Sequence, residues 1–410
     1  MSRVMKDSGI AWIGAIPQNW EVRKFKQLFQ IKKDIAGTLG YDVLSVTQKG
    51  IKVKDIARNE GQLAQDYSKY QLVYPNDFVM NHMDLLTGYV DCAKQEGVTS
   101  PDYRTFRAID NEKIENNYYL KIFQFCYSDI IFYKLGQGVS NFGRWRLPAE
   151  QQNGFPLPFF TIAEQQAIAD FLDVKCAEVD ELIALQEKMI DELKVYKQSV
   201  ITEAVTKGLN PNAPLKDSGI EWIGQIPEHW VVTPLKYLCK IRTGNQDTQD
   251  NVPEGKFPFY VRSPKVERSN KYTFEGESIL MAGDGAGAGK IFHLADGRFG
   301  CHQRVYCMQG FNKVYRKILY YLLQSTFYLS IDTANTKSTV DSVRLPMLLE
   351  FSAFVYPIEE QQQIADYLDT KCAEIDEMTS IKQQKIEQLK EYQKSIIYEY
   401  VTGKKQVNIE

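Results

Sequence analysis

The chain has 410 residues with a formal net charge of −3, and 44% of its residues are hydrophobic. This length exceeds one ordinary core and predicts two or three domains, while the lack of a run of about eighteen apolar residues and of a signal pattern argues against a membrane or secreted protein. Seven cysteines without a CxxC pair or a Cys/His cluster argue against disulfides and structural zinc, so we expect a cytoplasmic protein without a metal.

The first predicted element is a head sequence that occurs twice. KDSGIAWIGAIPQNW at residues 6–20 returns as KDSGIEWIGQIPEHW at residues 216–230, with eleven of fifteen positions identical and an offset of 210. Its glycines, proline and tryptophans predict a structured turn whose apolar side chains tie the start of a domain to a neighbouring element. Apart from Asp7 and Asp217, which suit a turn or a helix cap, no catalytic residue type repeats in the heads.

After each head comes an insert, and the two inserts diverge. Residues 21–154 carry 18 Lys and Arg against 16 Asp and Glu, and residues 231–350 carry 16 against 11, so their net charges are +2 and +5. Each insert combines short β-type runs with one aromatic-rich helical stretch, at 117–134 and 313–330, whose rings we interpret as core packing. A fixed frame around unlike inserts predicts two versions of one task.

Two arginines align between the inserts when DYRTFRA (102–108) is matched to HQRVYCM (302–308), which pairs Arg104 with Arg304. Arginine near Ser, Thr, Asn or Gln on loops is the set of residues that contacts phosphates and base edges. Because a residue shared by unlike inserts would contact what every DNA sequence shares, the phosphate backbone, we predict that the matched arginines bind phosphate. Gln303 differs between the inserts and is predicted to read bases. Any single arginine is equally well explained as a solvated surface residue.

A second alignment, of GVSNFGRWRLP (138–148) with TKSTVDSVRLP (336–346), pairs Arg146 with Arg344 in the same way. Together the two alignments and their neighbours define the candidate DNA-binding residues, which are Arg104, Ser140, Asn141, Arg144, Arg146, Lys271, Gln303, Arg304, Lys337, Ser338, Thr339 and Arg344.

The glycine-rich stretch GDGAGAGK at residues 283–290 suggests a nucleotide-binding loop but does not fit one. Asp284 stands where the first glycine of a phosphate-binding loop is needed, and Ile291 follows Lys290 in place of Ser or Thr. We interpret the stretch as a tight turn between strands or a flexible loop near a ligand. No other hydrolase, protease, nuclease or methyltransferase motif occurs, so we expect no catalytic residue.

The last element of each half is a second repeat. EQQAIADFLDVKCAEVDE (164–181) returns as EQQQIADYLDTKCAEIDE (360–377), with fourteen of eighteen positions identical and an offset of 196. Residues 164–207 and 360–402 contain neither Pro nor Gly, which predicts two long helices. Heptad spacing predicts that the helices pair with each other, although each helix docked separately on its own domain is the alternative. The predicted pairing residues are Leu172, Val179, Leu193, Val200, Leu368, Ile375, Leu389 and Ile396.

The order of head, insert and helix, occurring twice, resembles the specificity (S) subunit of a type I restriction–modification system. The resemblance rests on the repeated SGIxWIGxIPxxW and EQQxIADxLDxKCAExDE motifs and extends over nearly the whole chain. It implies two target recognition domains, each reading one half of a split sequence in double-stranded DNA. It also implies two helices that dock two methyltransferase (M) subunits, with motor-nuclease (R) subunits joining that complex. No cofactor is expected, since the methyl donor and ATP belong to those partners.

The expected fold is therefore α+β, with two mixed α/β target recognition domains separated by two long antiparallel coiled-coil helices in a pseudo-two-fold repeat. We expect the recognition domains at residues 1–160 and 209–356 and the spacer helices at 161–208 and 357–410. The competing hypothesis is a coiled-coil scaffold that presents two protein-binding domains. Salt-sensitive DNA binding would distinguish recognition of DNA from that role.

Overall fold

The computed structural model describes residues 3–55, 66–138, 145–332 and 342–407. The chain forms two compact units, unit 1 (Met1–Gln186 with Gln384–Glu410) and unit 2 (Glu187–Gln383). The expected mixture of sheets and long helices is present, while the expected limits of four domains remain a prediction. None of the helices in these described ranges is long and apolar enough to cross a bilayer.

Unit 1 contains two four-stranded sheets and a buried aromatic helix. Its elements before the first long helix are β1 (Met5–Asp7), β2 (Ala15–Pro17), β3 (Glu21–Lys24), α1 (Phe25–Leu28), β4 (Phe29–Lys32), β5 (Val43–Thr47), β6 (Gly50–Val53), β7 (Gln71–Val73), β8 (Phe78–Met80), β9 (Val90–Cys92), β10 (Gly97–Thr99), β11 (Arg104–Ala108), α2 (Asn116–Ser128), α3 (Ile131–Lys134), α4 (Ala149–Gly154) and β12 (Pro156–Phe159). The sheet orders are β6-β5-β10-β7 and β4-β11-β8-β9, and β1–β2 and β3–β12 form two small sheets.

The core of unit 1 is aromatic. Phe78 and Phe106 lie on neighbouring strands and stack with ring centroids 5.0 Å apart, and Phe123 of α2 meets both of them edge-on. Tyr118 and Tyr119 of α2 are fully buried, and each hydroxyl donates to a backbone carbonyl: Tyr118 to Val401 and Tyr119 to Pro158. The aromatic stretch is therefore core packing, as predicted.

Unit 2 has the same architecture. Its elements are the first long helix α5 (Ile162–Lys207), which begins in unit 1, then β13 (Leu215–Asp217), β14 (Gln225–Pro227), β15 (Val231–Pro234), β16 (Lys240–Thr243), β17 (Phe257–Tyr260), β18 (Glu267–Ser269), β19 (Phe274–Glu275), β20 (Ser278–Ala282), β21 (Phe292–Ala295), β22 (Arg298–Cys301), β23 (Val305–Gln309), α6 (Arg316–Asp332), α7 (Leu345–Leu349), β24 (Ser352–Val355) and the second long helix α8 (Ile358–Val401), which ends in unit 1. The sheet orders are β18-β17-β22-β19 and β16-β23-β20-β21. Strands β4 to β11 thus correspond one to one with β16 to β23, including one parallel pair in each unit.

The repeated motifs make the same contacts in both units. The buried Trp20 indole N–H donates to the Glu164 carboxylate at 3.2 Å, and the buried Trp230 indole N–H donates to Glu360 at 3.1 Å. Each tryptophan also stacks on an aromatic ring just before its long helix, with centroids 3.6 Å apart in unit 1 and 3.9 Å in unit 2. The heads therefore tie each domain start to the beginning of a long helix, as predicted.

The long helices pair antiparallel within each unit. In unit 1 the ring centroids of Phe171 and Tyr400 lie 4.4 Å apart, and Gln393 donates to the Asp180 carboxylate at 2.9 Å. Residue numbers therefore increase along α5 as they decrease along α8. The same direction holds in unit 2, where Lys382 lies 3.5 Å from the sulfur of Met189 and Lys197 pairs with Asp376 at 2.7 Å.

The predicted pairing residues differ in burial. Six of them are buried, and the other two are half-buried. Leu193 and Val200 are the half-buried pair, and both belong to α5 within unit 2. We therefore expect substitutions of the buried residues to disturb the helix pair more strongly.

Candidate nucleic-acid interface

A short turn joins the central strands of the two sheets at the same place in each unit. In unit 1 it lies between β10 and β11, where the Ser100 hydroxyl accepts the Asp102 backbone N–H at 3.2 Å. In unit 2 it lies between β22 and β23, where the His302 Nδ1 accepts the Arg304 backbone N–H at 2.9 Å. The Ser100 carbonyl also accepts the Tyr103 N–H at 3.0 Å, and the His302 carbonyl accepts the Val305 N–H at 2.9 Å. We call residues 303–304 the recognition turn of unit 2.

The strand register corrects the predicted pairing of Arg104 with Arg304. Phe106 pairs with Ile31 and Phe78, and Met308 pairs with Ile241 and Ile279 on the corresponding strands of unit 2. Phe106 and Met308 therefore occupy equivalent positions. Counting back along both strands, the counterpart of Arg104 is Tyr306, whereas Arg304 corresponds to Asp102. The predicted alignment was therefore wrong by two residues, because it matched letters without the hydrogen-bond register.

The pairing of Arg146 with Arg344 fails for the same reason. The Leu147 N–H donates to the His82 carbonyl, and the Val343 N–H donates to the Gly283 carbonyl, with His82 and Gly283 at equivalent places after β8 and β20. Leu147 and Val343 are therefore equivalent, which places Arg146 opposite Ser342 rather than Arg344. The hypothesis that matched arginines grip the phosphates common to both half-sites has lost its basis.

Arg104 is placed inside unit 1 and is only 9% exposed. Its guanidinium donates to the Leu147 carbonyl at 3.1 Å and to the Gln152 side chain at 2.6 Å. Burial, with the nearby Arg146 charge, lowers the pKa of Arg104 to about 10, so it stays charged at neutral pH. The Tyr306 hydroxyl makes the corresponding bond in unit 2, donating to the Val343 carbonyl at 3.0 Å. Arg104 thus fastens the segment before α4 to the sheet, and we do not retain it as a DNA contact.

We expect Arg104→Met to destabilise unit 1 without weakening DNA binding by the folded protein. The change leaves two acceptors without their donor, which costs about 1–3 kcal/mol. The urea midpoint of unfolding measures the loss, and Arg146→Met, at an exposed site close by, serves as the control. Loss of DNA affinity at an unchanged midpoint would contradict the structural role of Arg104.

Both side chains of the recognition turn are exposed, and each is held by a carboxylate. The Gln303 amide donates to Asp247 at 3.0 Å, and the Arg304 guanidinium lies 3.4 Å from Asp284. The other oxygen of Asp284 accepts from Arg262 at 2.8 Å. The Thr248 backbone N–H is the main cause that lowers the pKa of Asp247, so this carboxylate is ionised at neutral pH. Sequence reasoning missed Arg262, because nothing in its local motif marks it.

A third predicted residue joins the same surface. Lys271 pairs with Asp250 at 3.5 Å, and its carbonyl accepts from the Gln246 side chain at 3.1 Å. The Gln246 carbonyl in turn accepts the backbone N–H of Gln303 at 2.8 Å. Lys271, Gln303 and Arg304 are therefore brought together at one edge of unit 2.

The remaining candidates are distributed differently. Arg146 is exposed in unit 1, where its backbone pairs with Gln137, and Arg344 is exposed just before α7 in unit 2. The other six lie outside the described residues. Three belong to the first insert and three to the second: Ser140, Asn141, Arg144, Lys337, Ser338 and Thr339.

The glycine-rich stretch is a connection between adjacent strands, one of its two predicted interpretations. It joins β20 to β21, and the Ala282 N–H donates to the Ile291 carbonyl across its base at 3.0 Å. Gly285 and Gly289 have φ angles of +75° and +65°, which side chains rarely adopt. The loop also contacts the recognition turn, since the Gly283 N–H donates to the Arg304 carbonyl at 2.9 Å. This connection sets Asp284 beside Arg304.

Within the described ranges, no group of three or more His, Cys, Asp or Glu side chains is arranged to hold a metal ion. The seven cysteines are free thiols, and six of them are buried. Burial raises the pKa of Cys239 to about 12, so that thiol is a weak nucleophile at neutral pH.

Comparisons with known proteins agree with this architecture. Residues 17–195 and 227–391 match the family model of the type I restriction modification DNA specificity domain, and each matched segment contains one insert. The putative type I restriction enzyme MjaX specificity subunit of Methanocaldococcus jannaschii is 25% identical over 96% of this chain and 95% of that protein. The EcoDI specificity subunit of Escherichia coli is 27% identical over 42% of this chain and 38% of that protein.

The fold is shared with a solved chain from work on complex assembly and conformational transition of the type I R-M system. That chain superposes with a TM-score of 0.71 at 13% identity, over 94% of this chain and 98% of the other. With the same eight-strand arrangement in each half and a family match in both, this protein belongs to the type I restriction–modification specificity subunits and carries two target recognition domains.

Proposed function

We propose that this chain is the non-catalytic subunit that selects the DNA sequence for a type I restriction–modification complex. Each target recognition domain reads one half of a bipartite, asymmetric target in double-stranded DNA. The observation that carries the proposal is the turn between the central strands, which has one backbone geometry in both units but different exposed residues.

The exposed residues of that turn differ in hydrogen-bonding chemistry. Unit 1 presents Pro101 and Asp102, whereas unit 2 presents Gln303 and Arg304. An aspartate accepts from cytosine N4, a glutamine pairs with adenine, and an arginine donates to guanine. Two turns with the same backbone geometry but different exposed side chains would therefore select different half-sites.

The charge distribution supports a division between DNA-facing and protein-facing parts. The inserts carry +2 and +5, whereas residues 161–207 carry 5 Lys and Arg against 10 Asp and Glu, and residues 357–410 carry 7 against 11. Phosphates attract the inserts and repel the helices. The helices are thus better suited to binding protein.

The helices also repeat a set of exposed apolar residues. Three positions, separated by the repeat offset of 196, carry large side chains that are 47–57% exposed in both copies. These positions are Leu182 with Met378, Leu185 with Ile381, and Tyr196 with Tyr392. Scattered exposed apolar residues are ordinary, but one pattern preserved in both repeats supports two sites for one kind of partner. We propose that two methyltransferase subunits dock there and that the motor-nuclease subunits join through that complex.

Methylation mapping tests the proposed function directly. DNA from cells with the intact system is compared with DNA from cells that lack only this chain. We expect a methylated bipartite sequence that disappears with the chain. Unchanged methylation, together with DNA binding that does not respond to salt, would favour the scaffold hypothesis instead.

We expect Arg304→Ala to weaken binding to the cognate site by about 1–3 kcal/mol and to change binding to other sequences much less. Its counterpart in unit 1 is an aspartate, so this position does not supply a phosphate contact common to both half-sites. Titrations of the assembled complex with cognate and single-base variant duplexes, at several salt concentrations, measure the effect.

Arg298→Ala is the matched control for Arg304→Ala. It removes an exposed arginine at the other end of β22, where Glu275 is its partner at 3.1 Å. We expect the control to change all affinities together. An equal loss on every sequence for Arg304→Ala, with a salt slope reduced by about one, would make Arg304 a phosphate contact.

A further inference from the structure

A buried histidine and a carboxylate hold the recognition turn in place, in addition to its backbone hydrogen bonds. His302 is only 3% exposed, and its Nδ1 accepts the Arg304 N–H, which leaves the proton on Nε2. That Nε2 faces the Asp247 carboxylate at 3.5 Å, and the same carboxylate accepts from the Gln303 side chain. The buried ring and the carboxylate thus connect the turn backbone to the side chain at its tip.

Asp247 is itself fixed. It precedes a short 3-10 helix, Thr248–Asp250, and accepts the Thr248 N–H at 2.7 Å. The Asp250 carboxylate accepts the Asp247 N–H at 2.9 Å in return. Because both ends of this capping box are bonded, the Asp247 carboxylate has little freedom to move away from Gln303.

The side chains keep their recognition groups despite these bonds. Gln303 gives one amide hydrogen to Asp247, so its carbonyl oxygen and second hydrogen remain, the pair that adenine requires. Arg304 gives one edge to Asp284 and is still 64% exposed. The two carboxylates therefore orient both side chains and leave hydrogen-bonding groups of each available for a base.

Two carboxylates at a DNA-facing edge have an electrostatic cost, because they repel phosphates on every sequence alike. A surface that only gripped DNA would be stronger without them. Their presence is explained if the orientation they impose on Gln303 and Arg304 stabilises the complex with the correct sequence by more free energy than the repulsion of the phosphates costs. This reasoning rests on the proposed function in DNA recognition.

We propose that Asp247 and Asp284 are positioning residues that set the sequence selectivity of the second target recognition domain. They hold Gln303 and Arg304 in the conformation that meets one set of base edges. On other sequences the same conformation leaves these donors unpaired, and the carboxylates oppose binding.

The test replaces each carboxylate by its neutral isostere in the assembled complex with the methyltransferase subunits. Asp247→Asn keeps a good helix cap, since asparagine and aspartate cap equally well. The cognate duplex is defined by methylation mapping, and its dissociation constant is compared with that of a random duplex of equal length. We expect the ratio of the two constants to fall at least tenfold for each variant, through weaker cognate binding and stronger random binding.

Asp296→Asn is the matched control. Asp296 is an exposed aspartate that pairs with Arg316 at 2.7 Å, and it precedes β22 while the recognition turn follows it. This control removes one negative charge from the same domain away from the turn. We expect both affinities to rise by the same factor, so that their ratio stays constant, and Asp284→Glu to retain most of the wild-type ratio.

A double-mutant cycle separates positioning from a loss of stability. If Asp247 acts through Gln303, Asp247→Asn has no further effect on the ratio once Gln303→Ala is present. Additive effects, or ratios that stay constant as in the control, would overturn the proposal. A wild-type complex that does not distinguish cognate from random DNA would instead refute the proposed function.

Discussion

Replacing residues 21–154 by the equivalent segment of another type I specificity subunit is expected to change one half of the methylated sequence and leave the other half unchanged. All eight strands of the two four-stranded sheets in unit 1 come from this segment. A transplanted segment would therefore bring a complete pair of sheets with its own turn between the central strands. Methylation mapping of cells that express the chimera gives the result directly.

The frame meets its insert through contacts that do not depend on the insert's side chains. Gln165 is fully buried, accepts the Glu115 backbone N–H at 2.9 Å and donates to the Lys113 carbonyl at 3.1 Å. Its repeat counterpart Gln361 makes the same two bonds to the backbone of the second insert, at 2.6 and 3.1 Å. Because every sequence supplies backbone groups, one frame can receive inserts of very different sequence.

The reciprocal replacement of residues 231–350 is the control, and it should change only the other half-site. A chimera that altered both halves, or neither, would contradict independent recognition by the two domains. Retained expression and assembly with the methyltransferase subunits distinguish a silent chimera from a misfolded one.

The repeated parts of the chain were predictable from sequence, since their residues form contacts that occur twice. Trp20 and Glu164, like Trp230 and Glu360, bond to each other across the start of a long helix, so both members of each pair recur. The heptad rows gave the helices and their pairing for the same reason. Periodic burial leaves a pattern that one sequence alone reveals.

The inserts were less predictable, because different side chains perform the same structural task in them. Arg104 and Tyr306 donate to equivalent backbone carbonyls, Arg104 to that of Leu147 and Tyr306 to that of Val343. A comparison of letters does not align an arginine with a tyrosine, whereas the strand register does. The misplaced alignment followed from that exchange.

The candidate interface was found only in part for a related reason. Gln303, Arg304 and Lys271 carry recognisable DNA-binding chemistry, so they could be named from sequence. Asp247 and Asp284 lie about 56 and 20 residues from the recognition turn and have the wrong charge for DNA, so only the fold connects them to it. Their place in the candidate interface is seen from their contacts with Gln303 and Arg304, not from their residue type.

Replacing Leu193 and Leu389 together by Asp is expected to disrupt the helix pair and release the methyltransferase subunits. Leu389 is buried in unit 1, so a carboxylate there costs several kcal/mol, whereas half-buried Leu193 in unit 2 contributes less. The order of effect should therefore be the double variant first, then Leu389→Asp, then Leu193→Asp. Light scattering after size-exclusion chromatography reports the assembly.

The matched controls introduce the same charge at exposed positions of the same helices. Gln388→Asp changes the exposed residue next to Leu389, and Ser199→Asp changes an exposed residue six positions after Leu193 on α5. They should leave assembly intact, because a carboxylate that stays in water has little desolvation cost. Normal assembly and unchanged DNA affinity in the double variant would show that the apolar rows do not hold the helices together. If the controls also dissociated, added negative charge on the helices, rather than broken pairing, would be what releases the methyltransferase subunits.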